Sequence, residues 1–262
     1  MWAETALVFI LGLLLGSFAN VVIHRYPKGE SVVRPRSKCP KCGKPIAAWD
    51  NIPVLSWVFL GGRCRACKAP ISMRYPTVEF ITGVLFAAVF IKHGMTWSTL
   101  EYLILVWSLV VVSFIDMDLM ILPDVFTLSG IVLGLLGGAL NPERGFYASL
   151  AGVLMGGGFL WAVAYLYLVI RKEEGMGGGD IKLLAWLGAV LGWTSIPFIV
   201  LVSSVLGSAV GLVLAARGKA GLKSVIPFGP YLALAAVIFL LGGDQLGLWY
   251  IGLFLPMQVP AN

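Results

Sequence analysis

Long apolar runs alternate with short polar breaks over most of the 262 residues. About 20 consecutive apolar residues cross a bilayer as a helix. By that ruler the chain predicts eight spans, at residues 5–24, 76–92, 98–115, 124–140, 147–170, 181–193, 196–216 and 228–250. The sixth is short, and with the seventh it reads as a helix pair broken between Trp193 and Pro197. The last run carries Gly242-Gly243-Asp244, which can split it. One long polar segment, residues 25–75, follows the first run. The pattern therefore predicts an all-α polytopic membrane protein of about eight helices, with a small polar domain inserted after the first. Its divisions are a first helix at 1–24, the polar domain at 25–75 and a multi-span body at 76–262.

Composition agrees and excludes a soluble domain. The chain is 59% hydrophobic and 12% charged, with mean hydropathy +0.91, against roughly a quarter charged for soluble proteins. Before the first run lies Glu4 and no Lys or Arg, while His24, Arg25 and Lys28 follow it. A secretory signal has the reverse polarity, so this run reads as a span with its N-terminus outside. Eleven of the 19 Lys and Arg lie between Arg25 and Arg74. With eight spans threaded, one set of loops (25–75, 116–123, 171–182, 217–227) holds 17 of them, and the opposite set holds two, Lys92 and Arg144. The basic side is the cytoplasmic one. Such a surface suits anionic lipid headgroups or another charged partner, and no nucleic-acid partner is expected.

Two groups of acids then fall on that same side: Asp116, Asp118 and Asp124 after the third span, and Glu173, Glu174 and Asp180 after the fifth. Ionisable groups within a bilayer are costly and tend to be functional, but the cost falls near its edges. Asp118, Asp124, Glu173 and Glu174 can simply meet water or cap helices, and Asp124, after Pro123, looks like a helix N-cap. Asp180 reads equally as a cap for a helix beginning at Ile181 or as a catalyst. Two carboxylates brought together at low dielectric do not both ionise, which yields one acid and one base in a single site. No Ser-His or Cys-His alternative is visible, because the only histidines, His24 and His93, fall on opposite faces. The stretch GMGGGDIK, residues 175–182, places Asp180 behind Gly177, Gly178 and Gly179. Those glycines permit unusual backbone angles and let an extended substrate lie alongside as an added strand; a plain flexible loop is the bland alternative. Glu79 reads as an ordinary interfacial acid, or as a binder of an amine.

The four cysteines form two CxxC knuckles, Cys39/Cys42 and Cys64/Cys67, with 21 residues between them. Thiolates at this spacing suit a tetrahedral zinc, and four of them close its shell, so the site reads as structural. A reducing cytoplasmic side disfavours disulfides. A loop of this size needs such a staple. Gly43 and Gly61-Gly62 are placed to supply its turns.

The ordered set GSFANVVIHRYP (16–27), SKCPKCGKPIAAWDNIPVLSW (37–57), GGRCRACKAPISMRYPTVE (61–79), IDMDLMILPD (115–124) and GMGGGDIK resembles the type IV prepilin peptidase family over almost the whole chain. The resemblance implies an aspartyl peptidase of the GxGD type. It would remove the leader of prepilins and pseudopilins at the cytoplasmic face of a bacterial inner membrane, serving type IV pili or type II secretion. Many members then methylate the new N-terminal residue with S-adenosylmethionine, and the cysteine loop is similar to the region linked to that step. The family's first catalytic Asp stands seven residues before the Pro of its LPD element, which is Asp116, and the second is the Asp of GxGD, Asp180. Asp118, the competitor, lies about 200° further round a helix. Two other classes stay open: an ion-coupled transporter, which also uses broken helices and membrane acids, and a zinc-bearing adaptor without chemistry.

Overall fold

The computed structural model describes residues 2–141, 144–173, 175–216, 226–243 and 245. Most of the expected loop 217–227, the acids Glu143, Glu174 and Asp244, and the end of the last predicted span lie outside the described residues. Among the described residues there are helices and no strand, only two isolated antiparallel bridges, Lys38 with Pro45 and Arg63 with Pro70. The chain forms two compact units, Met1–Ile115 and Asp116–Asn262.

In the first unit, α1 (Trp2–Arg25) is followed by the polar segment, whose one short helix is α2 (Leu55–Phe59). Helices α3 (Arg74–His93) and α4 (Trp97–Leu119) complete it. Helix α1 lies on α3 along a seam of small residues: a Cβ at Gly12 would stand 2.8 Å from the Gly83 Cα, and one at Gly16 would stand 2.7 Å from the Glu79 Cα. Lipid offers no hydrophobic drive between helices, so close backbone packing of this kind holds them together. Polar bonds add to it: Asn20 Nδ2 donates to the Tyr75 carbonyl at 3.0 Å, and Trp107 Nε1 donates to the Leu15 carbonyl at 2.9 Å.

The second unit begins in the last turn of α4 and continues with α5 (Asp124–Leu140), α6 (Phe146–Arg171), α7 (Gly178–Leu191), α8 (Ser195–Ala216) and α9 (Gly229–Ile238). Helix α7 is its centre, with every residue from Leu183 to Val190 buried. Glycines on α5 and α6 admit it. Gly130 faces the Trp186 ring, a Cβ at Gly134 would come within 2.7 Å of the Ala189 Cβ, and Gly152 meets Gly188 backbone to backbone. At the far end of α7, Arg144 donates to the carbonyls of Val190 and Gly134.

Each predicted apolar run is mostly helical where described. Five helices (α1, α3, α4, α6, α8) are long and apolar enough to cross a membrane, while α5 and α9 with its following turn are shorter. Helix α7 starts three residues before the expected 181 and ends at Leu191. The break before α8 centres on Gly192, whose φ of +80° suits glycine. The last run does depart from helical geometry at Gly242.

Candidate active site and thiol cluster

Asp116 stands in the last turn of α4, which ends where Met120 turns left-handed at φ +55° and donates its N–H to the Asp116 carbonyl at 2.8 Å. The chain then passes through Leu122 and the buried Pro123 into α5. Asp116 is only 5% exposed, whereas Asp118 is exposed. The two-residue offset thus turns one carboxylate into the protein and the other away from it. Asp116 Oδ2 accepts the backbone N–H of Gly229, the first residue of α9, at 3.1 Å. A Cβ at Gly229 would lie 2.7 Å from that oxygen and 3.1 Å from the Leu122 Cδ2.

Asp180 lies in the first turn of α7, within electrostatic reach of Asp116. It is not the cap expected as one alternative. The helix begins at Gly178, the N-cap position is Gly177, and no side chain caps it. Its Oδ1 is buried with no hydrogen-bond partner among the described residues. A buried carboxylate oxygen without a donor is costly. Asp124 is not an N-cap either. That position is Pro123, and the Asp124 carboxylate instead pairs with Lys182 Nζ at 2.6 Å, tying the start of α5 to α7. The sequence suggested a cap because Asp is a preferred N-cap residue ahead of an apolar run; the helix in fact starts at Asp124, and its carboxylate is taken by the partner from α7.

The glycines act differently from the sequence-based expectation. None of Gly177, Gly178 and Gly179 has a positive φ, and the last two are helical, so only Gly177 is extended. What Gly179 supplies is close approach, since a Cβ there would stand 2.8 Å from the Leu122 Cβ. Gly177 and Gly178 border open space. Leu122 thus sits between Gly179 and Gly229, and the turn after α4, the start of α7 and the start of α9 converge on the two aspartates. Gly229 escaped sequence reading. Its only signal is the Gly-Pro pair opening an apolar run, which marks a helix start and no more.

The four thiol sulfurs of Cys39, Cys42, Cys64 and Cys67 lie within 4.8 Å of one another, with 3.8 Å between Cys39 and Cys67. Zinc–sulfur bonds of about 2.3 Å in a tetrahedron put sulfurs about 3.8 Å apart, so the donor set fits a four-thiolate metal. The two knuckles repeat one backbone pattern. Cys39 and Cys64 donate to the carbonyls of Lys44 and Ala69, and their own carbonyls accept from Gly43 and Lys68. Gly43 is left-handed as expected, but its counterpart in the second knuckle is Lys68, at φ +57°; Gly61 and Gly62 turn the chain before that knuckle. Backbone N–H groups of Cys42 and Lys41 draw the Cys39 thiol down to about 6, and those of Cys67 and Ala66 lower Cys64, whereas Cys67, despite the lowering Ala69 N–H, is pushed up to about 11 by burial and the three neighbouring thiols. Thiolates are the form that a metal takes. Glu79 is buried, and its Oε2 accepts the Val54 N–H at 2.7 Å. That bond holds the loop where Val54 turns through φ +60°, an outlier for a β-branched residue.

Fold and site define a helical multi-pass membrane protein with a carboxylate pair at helix ends and a four-thiol cluster capable of holding a metal. Comparison with known proteins makes this specific. Residues 10–93 match the bacterial peptidase A24 N-terminal domain, and residues 103–212 match the type IV leader peptidase family. The prepilin leader peptidase/N-methyltransferase of Aeromonas hydrophila is 42% identical, covering 97% of this chain and 96% of that protein. The protein of the same name in Pseudomonas aeruginosa is 41% identical over 92% and 91%, and that of Burkholderia pseudomallei is 38% identical over 90% and 85%. No solved structure matches. The chain belongs to the type IV leader peptidase family.

Proposed function

We propose that this chain cleaves the leader from type IV prepilins or pseudopilins and then methylates the new N-terminal residue, with S-adenosylmethionine as the methyl-donating substrate. The observation that carries the cleavage is that Gly179, next to Asp180, and Gly229, bonded to Asp116, meet on opposite sides of Leu122 in a member of this family. One carboxylate is ionised and one protonated. Water loses a proton to the ionised group as its oxygen adds to the scissile carbonyl carbon, and the protonated group gives its proton to the carbonyl oxygen. The diol collapses when the leaving amine takes a proton from the first carboxyl and a diol hydroxyl returns one to the second. The open space at Gly177 and Gly178 leaves room for substrate backbone, with Gly179 keeping the loop against Leu122.

The same reading threads eight spans, counts 1–24, 25–75 and 76–262 as first helix, cytoplasmic thiol domain and peptidase body, and places the protein in a bacterial inner membrane. The asymmetry of 17 basic residues against two supports the cysteines and the aspartates sharing the cytoplasmic side. The basic loop there meets anionic lipid. The transporter and adaptor readings lose their ground to relatives named as peptidases over nearly the full chain.

The test is cleavage of a purified prepilin by the protein in lipid vesicles, with product mass reading both leader loss and an added methyl. A folded protein that leaves several prepilins intact would refute the reading. Zinc is the metal expected in the thiol cluster. When bound it supplies a fixed tetrahedral crosslink between the knuckles. The double variant Cys39→Ser/Cys42→Ser is expected to lose its zinc, about one ion per chain by elemental analysis, and to lose methyl transfer more than cleavage. Unchanged zinc content would remove these residues as ligands.

A further inference from the structure

The N-terminus of α9 lies beyond the residues that either family description matches, which end at 212. Yet Gly229 there makes the one hydrogen bond to the Asp116 carboxylate among the described residues. We propose that Gly229 is a positioning residue for peptide cleavage, holding the Asp116 carboxylate with its backbone N–H and making room for it by having no side chain. The inference rests on the cleavage reading above and adds to it a third structural component.

Three observations support it. The acceptor is nearly fully buried, so its rotamer is set by protein partners and not by water. The donor is a first-turn N–H, one of the groups a helix leaves unsatisfied, at its positive end. The approach needs glycine, because a Cβ would lie 2.7 Å from Asp116 Oδ2 and 3.1 Å from Leu122 Cδ2. Pro230, in the next position, suits the start of a helix, where its own missing N–H costs no bond.

The asymmetry divides the roles of the two acids. A carboxylate that accepts an N–H is favoured in its charged form, whereas a buried oxygen with no donor is favoured protonated. Asp116 has the donor, and Asp180 has the unpartnered Oδ1. Asp116 is therefore the group that takes the proton from water, and Asp180 is the group that gives its proton to the carbonyl oxygen.

The experiment compares wild type, Gly229→Ala and a chain with glycolic acid at position 229, introduced by nonsense suppression. The last keeps the shape of glycine and replaces only the N–H by an ester oxygen. Prepilin cleavage kinetics and the unfolding midpoint are read for each in lipid or detergent. Both changes are expected to lower kcat about 10- to 100-fold, the rate equivalent of one hydrogen bond to a charged group, with KM shifted by about twofold at most. A glycolic-acid chain that unfolds like wild type and cleaves at the wild-type rate overturns the proposal, whatever Gly229→Ala does. Wild-type cleavage in the same experiment separates that result from failure of the peptidase reading itself.

Discussion

Asp180→Asn is expected to lower prepilin cleavage by about 10³-fold, within the range that general acid–base catalysis contributes, in a protein that folds and inserts as before. Asparagine keeps the size of the side chain but can neither hold nor release the acidic proton. Nothing else in the structure depends on Asp180 Oδ1, which has no partner among the described residues, so stability should not fall. Asp116→Asn should cost a similar factor, and the double variant little more than either alone, because groups that act as a unit are not additive. Asp118→Asn is the discriminating control. Asp118 is exposed on the opposite side of the helix end, so its loss should leave the rate near that of wild type. Cleavage assays on the four variants in vesicles decide the matter. Loss of activity in Asp118→Asn with full activity in Asp116→Asn would reassign the dyad.

The second large effect concerns packing. Gly188→Ala on α7 should destabilise the second unit by about 3 kcal/mol, the upper part of the overpacking range, and should lower cleavage with it. The added methyl meets the backbone of Gly152 on α6, which has no rotamer to escape into. Helix α7 must then move, and Asp180 moves with it. Gly158→Ala is the same chemical change on α6 at a position bordering open space. There the helix gains by losing glycine freedom, by about 0.5–1 kcal/mol. Unfolding midpoints of the two variants should shift in opposite directions. A Gly188→Ala protein as stable as wild type would show that α6 and α7 do not depend on this contact.

These outcomes separate two kinds of information in the chain. The apolar runs, the basic loop and the paired knuckles were legible because each is local. Twenty apolar residues identify a span wherever they occur, and CxxC sets the reach of two thiols within one turn. The ordered motifs pointed to the family for the same reason. The choice of Asp116 over Asp118 was half legible: the resemblance to the family implied it, and the burial of one and exposure of the other follow from the turn of α4.

Other features depended on partners that no local rule supplies. Asp124 looked like a cap until Lys182, 58 positions away, took its carboxylate. Asp180 looked equally like a cap until the start of α7 at Gly178 placed it inside the first turn. Gly177, Gly178 and Gly179 suggested backbone freedom, whereas Gly179 serves close contact with Leu122. Gly229 carried no chemistry at all in the sequence, because a glycine contributes only an N–H and a space, and both gain meaning from what stands opposite. Here that is Asp116, 113 positions earlier. The sequence by itself determined the membrane class and the thiol cluster, and it named the two aspartates as candidates. Only the tertiary structure decided which groups address each aspartate, because hydrogen bonds and steric gaps between distant helices are properties of packing.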